Sequence, residues 1–219
     1  MIPKKLHFVW IGDESRRPDD CIRTWIDKNP DYEVVIWGND DLKNKLWYNA
    51  VHMMEMARQE LCGVADMMRY EIIYNEGGIT LDADSVCLEP LEEWLLKPDA
   101  FAHWEQELTR PGMINVSVMG GVANNLFFWE CIERLRRKET VIDRKAWMTT
   151  GPGHITEVFR DTGYPLTVYP THYFTRDHFT GIKYGGNGHC FATQFWGSSI
   201  VRGYDWIPDK LAAIQPTGG

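Results

Sequence analysis

Two aspartates one residue apart, Asp82 and Asp84, close an apolar segment, Ile79-Thr80-Leu81, that emerges from the pair Gly77-Gly78. Carboxylates are hard oxygen ligands, and two of them with open positions left over suit Mg²⁺ or Mn²⁺ shared with a diphosphate. A cation held there offsets charge developing on a departing phosphate. On a regular strand residues two apart share a face, so Asp82 and Asp84 are expected to converge while Ala83 faces away. Such a triplet also occurs in solvated turns, and context has to raise its value. The segment upstream does so. Asp66 and Arg69, three apart, share one face of an expected helix whose Val64, Met67, Met68 and Ile72 point to a core. They form either an intrahelical ion pair or an acid for ligand hydroxyls beside a cation for phosphate or sugar oxygens.

The elements that must position these groups alternate. Leu6–Ile11 and Glu33–Trp37 read as buried strands, with a short helix over Pro18–Lys28 between them that carries Ile22, Trp25 and Ile26 on one face. Asp40–Glu60 reads as helical, with Asp40 and Asp41 at its start as caps. Val64–Asn75 is a helix stopped by Gly77-Gly78, and strand Ile79–Asp84 follows. Further strands are expected at Ala100–Trp104, Asn115–Met119 and Leu166–Tyr169, and helices at Asn124–Arg137 and His154–Arg160. The basic run Arg134, Arg136, Arg137, Lys138 reads as a solvated helix end. The pattern predicts an α/β sandwich on a mostly parallel central sheet flanked by helices, with ligands beyond the carboxyl ends of the strands. We expect one domain over residues 1–210, divided near residue 100, then a tail at 211–219.

Composition narrows the function classes. The 219 residues carry 23 Lys and Arg against 31 Asp and Glu, a net charge of −8, which argues against a general nucleic-acid or anionic-membrane binder. Aromatics reach 13%, enough for a dense core or for a site that stacks sugars and bases. The five cysteines form no Cys-x-x-Cys pair, which disfavours zinc ribbons and dithiol redox sites. No apolar run is long enough to span a membrane and no signal region opens the chain, so a reducing cytoplasm is expected.

The run Ala65-Asp66-Met67-Met68-Arg69-Tyr70 through Gly77-Gly78-Ile79-Thr80-Leu81-Asp82-Ala83-Asp84 resembles the core "SDxxRYxxLYxxGGxYxDxD" of the DXD-containing glycosyltransferases of the family 32 type. That group includes yeast initiating mannosyltransferases and capsular-polysaccharide transferases, and is distantly similar to glucosylating bacterial toxins. Ile2–Gly12 looks like its first strand, "IPKxIHxxWIG", and Trp25, Asn29-Pro30-Asp31-Tyr32 and Trp37 match its "SWxxxNPDYExxxW" stretch. The likeness is strong to about residue 95 and looser beyond, with Thr150-Gly151-Pro152-Gly153 and Trp196-Gly197-Ser198-Ser199 as anchors.

The resemblance implies a GT-A catalytic domain, with a nucleotide-sugar half at 1–100 and an acceptor half at 101–210, and transfer of a hexose from a nucleotide diphosphosugar to a glycan or glycoconjugate acceptor, with retention and with Mn²⁺ or Mg²⁺. It implies catalytic roles for Asp66, Arg69, Asp82 and Asp84. Donor contacts fall to Trp10, Asp66, Arg69, Asp82 and Ser198, and metal contacts to Asp82 and above all Asp84. Among the relatives' donors a UDP-sugar is favoured over GDP-mannose, and a bacterial, phage or viral source is expected. The chain departs from the pattern at Ala65 and Thr80, and near its C-terminus Gln194 stands where relatives place the first His of "AIHHWxxSW". Gln offers only a carbonyl oxygen, so the third metal ligand is either Gln194 or His189, five residues upstream. Asn115 is a further candidate for donor or acceptor contact, and Gly151-Pro152-Gly153 could present backbone N–H groups to an anion. Two rivals stand beside the transferase. One is a haloacid-dehalogenase-like phosphatase, with Asp82 as the phosphorylated residue. The other is a non-catalytic nucleotide-sugar-binding module.

Overall fold

The computed structural model describes residues 1–197 and 204–214. Its strands are β1 (Lys5–Val9), β2 (Glu33–Trp37), β3 (Gly78–Leu81), β4 (Ser85–Cys87), β5 (Ala100–Gln106), β6 (Arg110–Gly121), β7 (Thr167–Tyr169) and β8 (Ala192–Gln194). The α-helices are α1 (Asp19–Lys28), α2 (Asn39–Asn44), α3 (Ala50–Met56), α4 (Leu61–Glu76), α5 (Leu126–Arg136), α6 (Ala146–Thr149), α7 (Pro152–Thr162) and α8 (Ile207–Ile214). Six strands form the central sheet in the order β2-β1-β3-β6-β5-β7, and β4 pairs with β8 in a separate two-stranded ribbon. The sheet is mixed. β1 runs parallel to β2 and β3, and β5 parallel to β7, while β6 lies antiparallel to both β3 and β5.

Alternation along the strands divides the core in two. Val9, Ala100, Ala102, Val116 and Met119 face the layer built by α3, α4, α5 and α7. Leu6, Phe8, Leu81, Phe101 and Val118 face Trp25 of α1, Phe174 and Phe191. Helix α4 is buried from Gly63 to Ile73, so it reads as apolar around most of its circumference and its few polar residues must find partners inside. A third cluster joins Cys21 and Val86 to Phe195, Ile207 and Leu211.

Several expectations are corrected here. β2 is an edge strand with Glu33 and Ile36 exposed, because only β1 pairs with it. Ile26 is 44% exposed and leaves the buried face of α1 to Cys21, Ile22 and Trp25. The single helix expected over 40–60 breaks into α2 and α3, where Lys45 turns extended and the buried Glu71 carboxylate receives the N–H groups of Tyr48 and Asn49 at 2.6 and 2.8 Å. Asp41 caps α2, accepting from the Gly38 N–H at 2.9 Å. Residues 211–214, expected in the tail, continue α8, whose Leu211 is buried. Among the described residues no helix is long and apolar enough to cross a membrane.

Candidate active site

Glycines place the acids. Between α4 and β3 the chain turns through Gly77 (φ +66°) and Gly78 (φ +101°), conformations that side chains rarely tolerate. A Cβ on Gly78 would also stand 2.9 Å from His7 Nε2 and the Lys5 carbonyl. His7 fastens this turn. Trp37 Nε1–H donates to its Nδ1 at 3.2 Å, so Nε2 carries the proton and donates to the Gly77 carbonyl at 2.9 Å. β3 thereby lies between β1 and β6 and points its carboxyl end into a cleft of about 870 Å³.

The strand ends at Leu81, one residue before the acids. Asp82 donates its N–H to the Ser117 carbonyl at 2.9 Å, and the Ser85 N–H and hydroxyl both return to the Asp82 carbonyl, at 3.0 and 2.6 Å. Asp82 and Asp84 therefore reach the same cleft through a tight turn, and the strand alternation expected for them does not apply. Ala83 packs into the second core layer.

Arg69 crosses from α4 to this turn. Its Nη2 pairs with Asp82 Oδ1, while Nη1 lies 3.5 Å from Asp66 Oδ1 and donates to the Val116 carbonyl at 3.3 Å. Asp66 also accepts from the Thr150 hydroxyl at 3.4 Å. Gly151 gives Asp66 its room, since a Cβ there would lie 2.8 Å from Asp66 Oδ2. Gly153 packs as closely, with the Met148 carbonyl 2.7 Å from the place of a Cβ, and the Gly151 N–H is spent on the Ala146 carbonyl at 3.0 Å. The two glycines thus serve close packing of α6 and α7 against α4, and the anion nest expected at this turn has lost one of its donors.

Burial dominates the electrostatics. It pushes the Asp66 carboxyl up to about 7, against the pull of Arg69. Burial and the neighbouring Asp82 raise Asp84 to about 6, against the hydrogen bond from Gly197. Asp82 is pushed up by burial and held back by its ion pair. Burial opposes the charge on Arg69 too, but Asp82 and Asp66 outweigh it and the guanidinium stays protonated. Acids this dry, with one arginine among them, form a site short of positive charge.

The ribbon brings Gln194 to the cleft. β8 pairs Gln194 with Ser85, beside Asp84, whose Oδ2 accepts the Gly197 N–H at 2.7 Å. Gln194 is 3% exposed and lines the cleft, and among the described residues neither its Oε1 nor its Nε2 has a hydrogen-bond partner. An amide buried without partners is costly, and one lining a cleft beside a desolvated carboxylate fits an oxygen donor for a bound cation. Asp84 and the Gln194 carbonyl would hold a divalent ion with several positions left for ligand oxygens. Among the described residues no group of three or more His, Cys, Asp or Glu converges as a closed metal site.

The other expected residues divide. Trp10 lies on the cleft rim, partly exposed, with Nε1–H donating to the Asp13 carbonyl at 2.9 Å and its ring edge-on to Tyr204 at 4.8 Å. Asn115 lines the cleft and donates to Glu105. His189 stands elsewhere, 3.4 Å from Glu89 and stacked on Phe191 at 5.2 Å, so it does not join Asp84. Ser198 lies outside the described residues. Cleft residues that carry no role in the sequence reading include Glu105, Arg110, Trp147 and Phe179. Trp196 takes φ +58°, a strained value for a bulky side chain and a mark of sites where geometry outranks stability. Glu105 had a signal, an acid continuing the apolar strand Ala100–Trp104, but the expected strand stopped one residue short of it.

The chain is similar to known glycosyltransferases. Residues 15–101 match the family described as "Glycosyltransferase sugar-binding region containing DXD motif". Inositol phosphoceramide mannosyltransferase 3 of Schizosaccharomyces pombe is 30% identical over 144 residues, 62% of this chain and 38% of that protein. Subversion of eukaryotic traffic protein A of Legionella pneumophila is 27% identical over 137 residues, 48% of this chain and 21% of that protein. The chain therefore spans well under half the length of these curated relatives. Among solved structures, PaToxG glycosyltransferase superposes with a TM-score of 0.58 at 16% identity, covering 74% of this chain and 70% of that one. The UDP-bound glycosyltransferase domain of the YGT toxin gives 0.56 at 10% identity, covering 77% and 79%. At these identities the structures establish the fold, which is of the GT-A type.

Proposed function

We propose that the cleft of this chain, whose residues 15–101 match the DXD-containing glycosyltransferase sugar-binding region, transfers a hexosyl group from a nucleotide diphosphosugar to a glycan-type acceptor, with retention and with Mn²⁺ or Mg²⁺. The observation that carries this reading is the buried Gln194 amide beside Asp84, without a hydrogen-bond partner among the described residues, in the cleft that also holds the Arg69–Asp82 ion pair. The cation, when bound, would neutralise charge on the diphosphate. The chain's own groups do the rest. Arg69 faces the cleft with its charge secured by two acids and stabilises the leaving diphosphate. Asp66 accepts from hydroxyls of sugar or ribose and fixes their orientation, and the partly exposed Trp10 ring offers a face to the base. An acceptor oxygen attacks the anomeric carbon from the side of the departing phosphate. The bond from that carbon to the phosphate oxygen breaks, its electron pair leaves with the nucleoside diphosphate, and the acceptor proton passes to the leaving phosphate.

A UDP-sugar is the favoured donor, a reading supported by the UDP-bound YGT toxin domain. The phosphatase alternative requires Asp82 as a free nucleophile, whereas Arg69 occupies that carboxylate. Thermal shift with a panel of UDP- and GDP-sugars, with and without Mn²⁺, tests the proposal. One donor should raise the melting temperature only when the metal is present and Asp84 is intact. A shift that survives Asp84→Ala and omission of metal would defeat it. Anomeric analysis of the product tests retention, and tight nucleotide binding without transfer or hydrolysis would point to a binding module.

A further inference from the structure

The cleft extends past the acids to a second group of residues that no donor role uses. Glu105, on β5, is 3% exposed. Its carboxylate accepts from Asn115 Nδ2 and pairs with Arg110 Nη1 at 3.3 Å. His178 lies behind it. Thr180 donates its N–H to His178 Nδ1 at 3.3 Å, which leaves the proton on Nε2, 3.8 Å from Glu105 Oε1 and without a hydrogen-bond partner among the described residues. The Arg110 guanidinium lies over two rings, Trp147 at 5.5 Å and Phe179 at 5.3 Å. Those rings line the cleft and are 43% and 39% exposed, unlike the buried aromatics of the core.

We propose that Glu105, Arg110, Trp147 and Phe179 form the acceptor subsite, and that it takes a neutral hexopyranose ring. The exposed rings offer flat apolar faces for the C–H face of a sugar, and Glu105 has lone pairs left to accept from its hydroxyls. Charge selects a neutral ligand. Among the described residues six carboxylates line the cleft (Asp13, Glu60, Asp66, Asp82, Asp84, Glu105) against three arginines, and each of these arginines already faces an acid, Arg16 with Asp205, Arg69 with Asp82 and Arg110 with Glu105. An anionic headgroup beside Glu105 would meet repulsion, with no unpaired cation among the described lining residues.

The inference rests on the donor reading of the cleft's other end, and its test separates the two. The probe is methyl α-D-mannopyranoside, observed by saturation-transfer difference NMR with and without UDP and Mn²⁺, with inositol 1-phosphate as the anionic comparator. The glycoside should receive saturation on its ring protons and the phosphate ester should not. Trp147→Ala and Glu105→Gln should each weaken the glycoside signal about fivefold or more, and Trp147→Phe should restore most of it. The UDP thermal shift is read on the same samples. Absence of a glycoside signal, a signal indifferent to Trp147 and Glu105, or preference for the phosphate ester would overturn the subsite. Loss of the UDP shift with a Trp147-dependent glycoside signal would leave the subsite standing and remove the donor assignment instead.

Discussion

Arg69 pairs with Asp82, thirteen positions away on another element, more closely than with Asp66 on its own helix. The ion pair thus ties α4 to the turn after β3, and the cleft depends on it. Removing one partner of a buried pair strands the other's charge. Arg69→Ala should therefore lower stability by about 3 kcal/mol at pH 7 and abolish transfer. Because Asp66 and Asp82 could then protonate, the deficit should shrink at pH 5. Urea unfolding at the two pH values measures it, and a deficit independent of pH would contradict the pair's role.

Gln194 supplies a direct probe of the metal reading. Gln194→Glu places a second charged oxygen beside Asp84, so the Mn²⁺ concentration giving half the donor-dependent thermal shift should fall about tenfold. Without metal the same variant should be less stable, since it adds like charge to a dry site. If Mn²⁺ affinity is unchanged while stability drops, Gln194 does not face the cation.

Gly151 is expected to be intolerant for a local reason. Its Cβ would press on Asp66 Oδ2 at 2.8 Å. Gly151→Ala should raise the donor KM with little change in overall fold, as read by circular dichroism. Gly163 is the comparison. It has φ +60° with nothing within 4 Å, so Gly163→Ala should cost about 1 kcal/mol and leave KM alone.

His154 predicts a pH dependence. It is buried against Tyr70 and donates from Nε2 to the Cys131 carbonyl at 2.9 Å. Burial, aided by Lys138 and Arg134, lowers its value from 6.5 to about 4. Between those values the unfolded chain takes up a proton that the folded one refuses. Stability is thus present above pH 6.5 and lost as pH falls towards 4, by at most about 3 kcal/mol. Asp66 and Asp84, raised by burial, drift the opposite way in the same window, so the comparison is by difference. The fall in stability from pH 7 to pH 5 should be smaller in His154→Gln than in the parent. Equal slopes would place the histidine's titration elsewhere.

Local pattern determined much of this protein. The strands at Glu33–Trp37 and Ala100 onward, the helix carrying Asp66 and Arg69, and the glycine stop before Asp82 follow from periodicity and backbone conformation, which act over a few residues. So does the presence of a DXD pair beyond a sheet strand. Tertiary structure alone decided which groups meet. The Arg69–Asp82 pair depends on the packing of α4 beside the end of β3, and the seat of Gln194 beside Asp84 on the pairing of β4 with β8, about a hundred residues apart. Glu105 entered the cleft because β5 and β6 turn their polar end towards it. Such contacts are set by how layers pack and which edges pair, and no spacing within one segment encodes them.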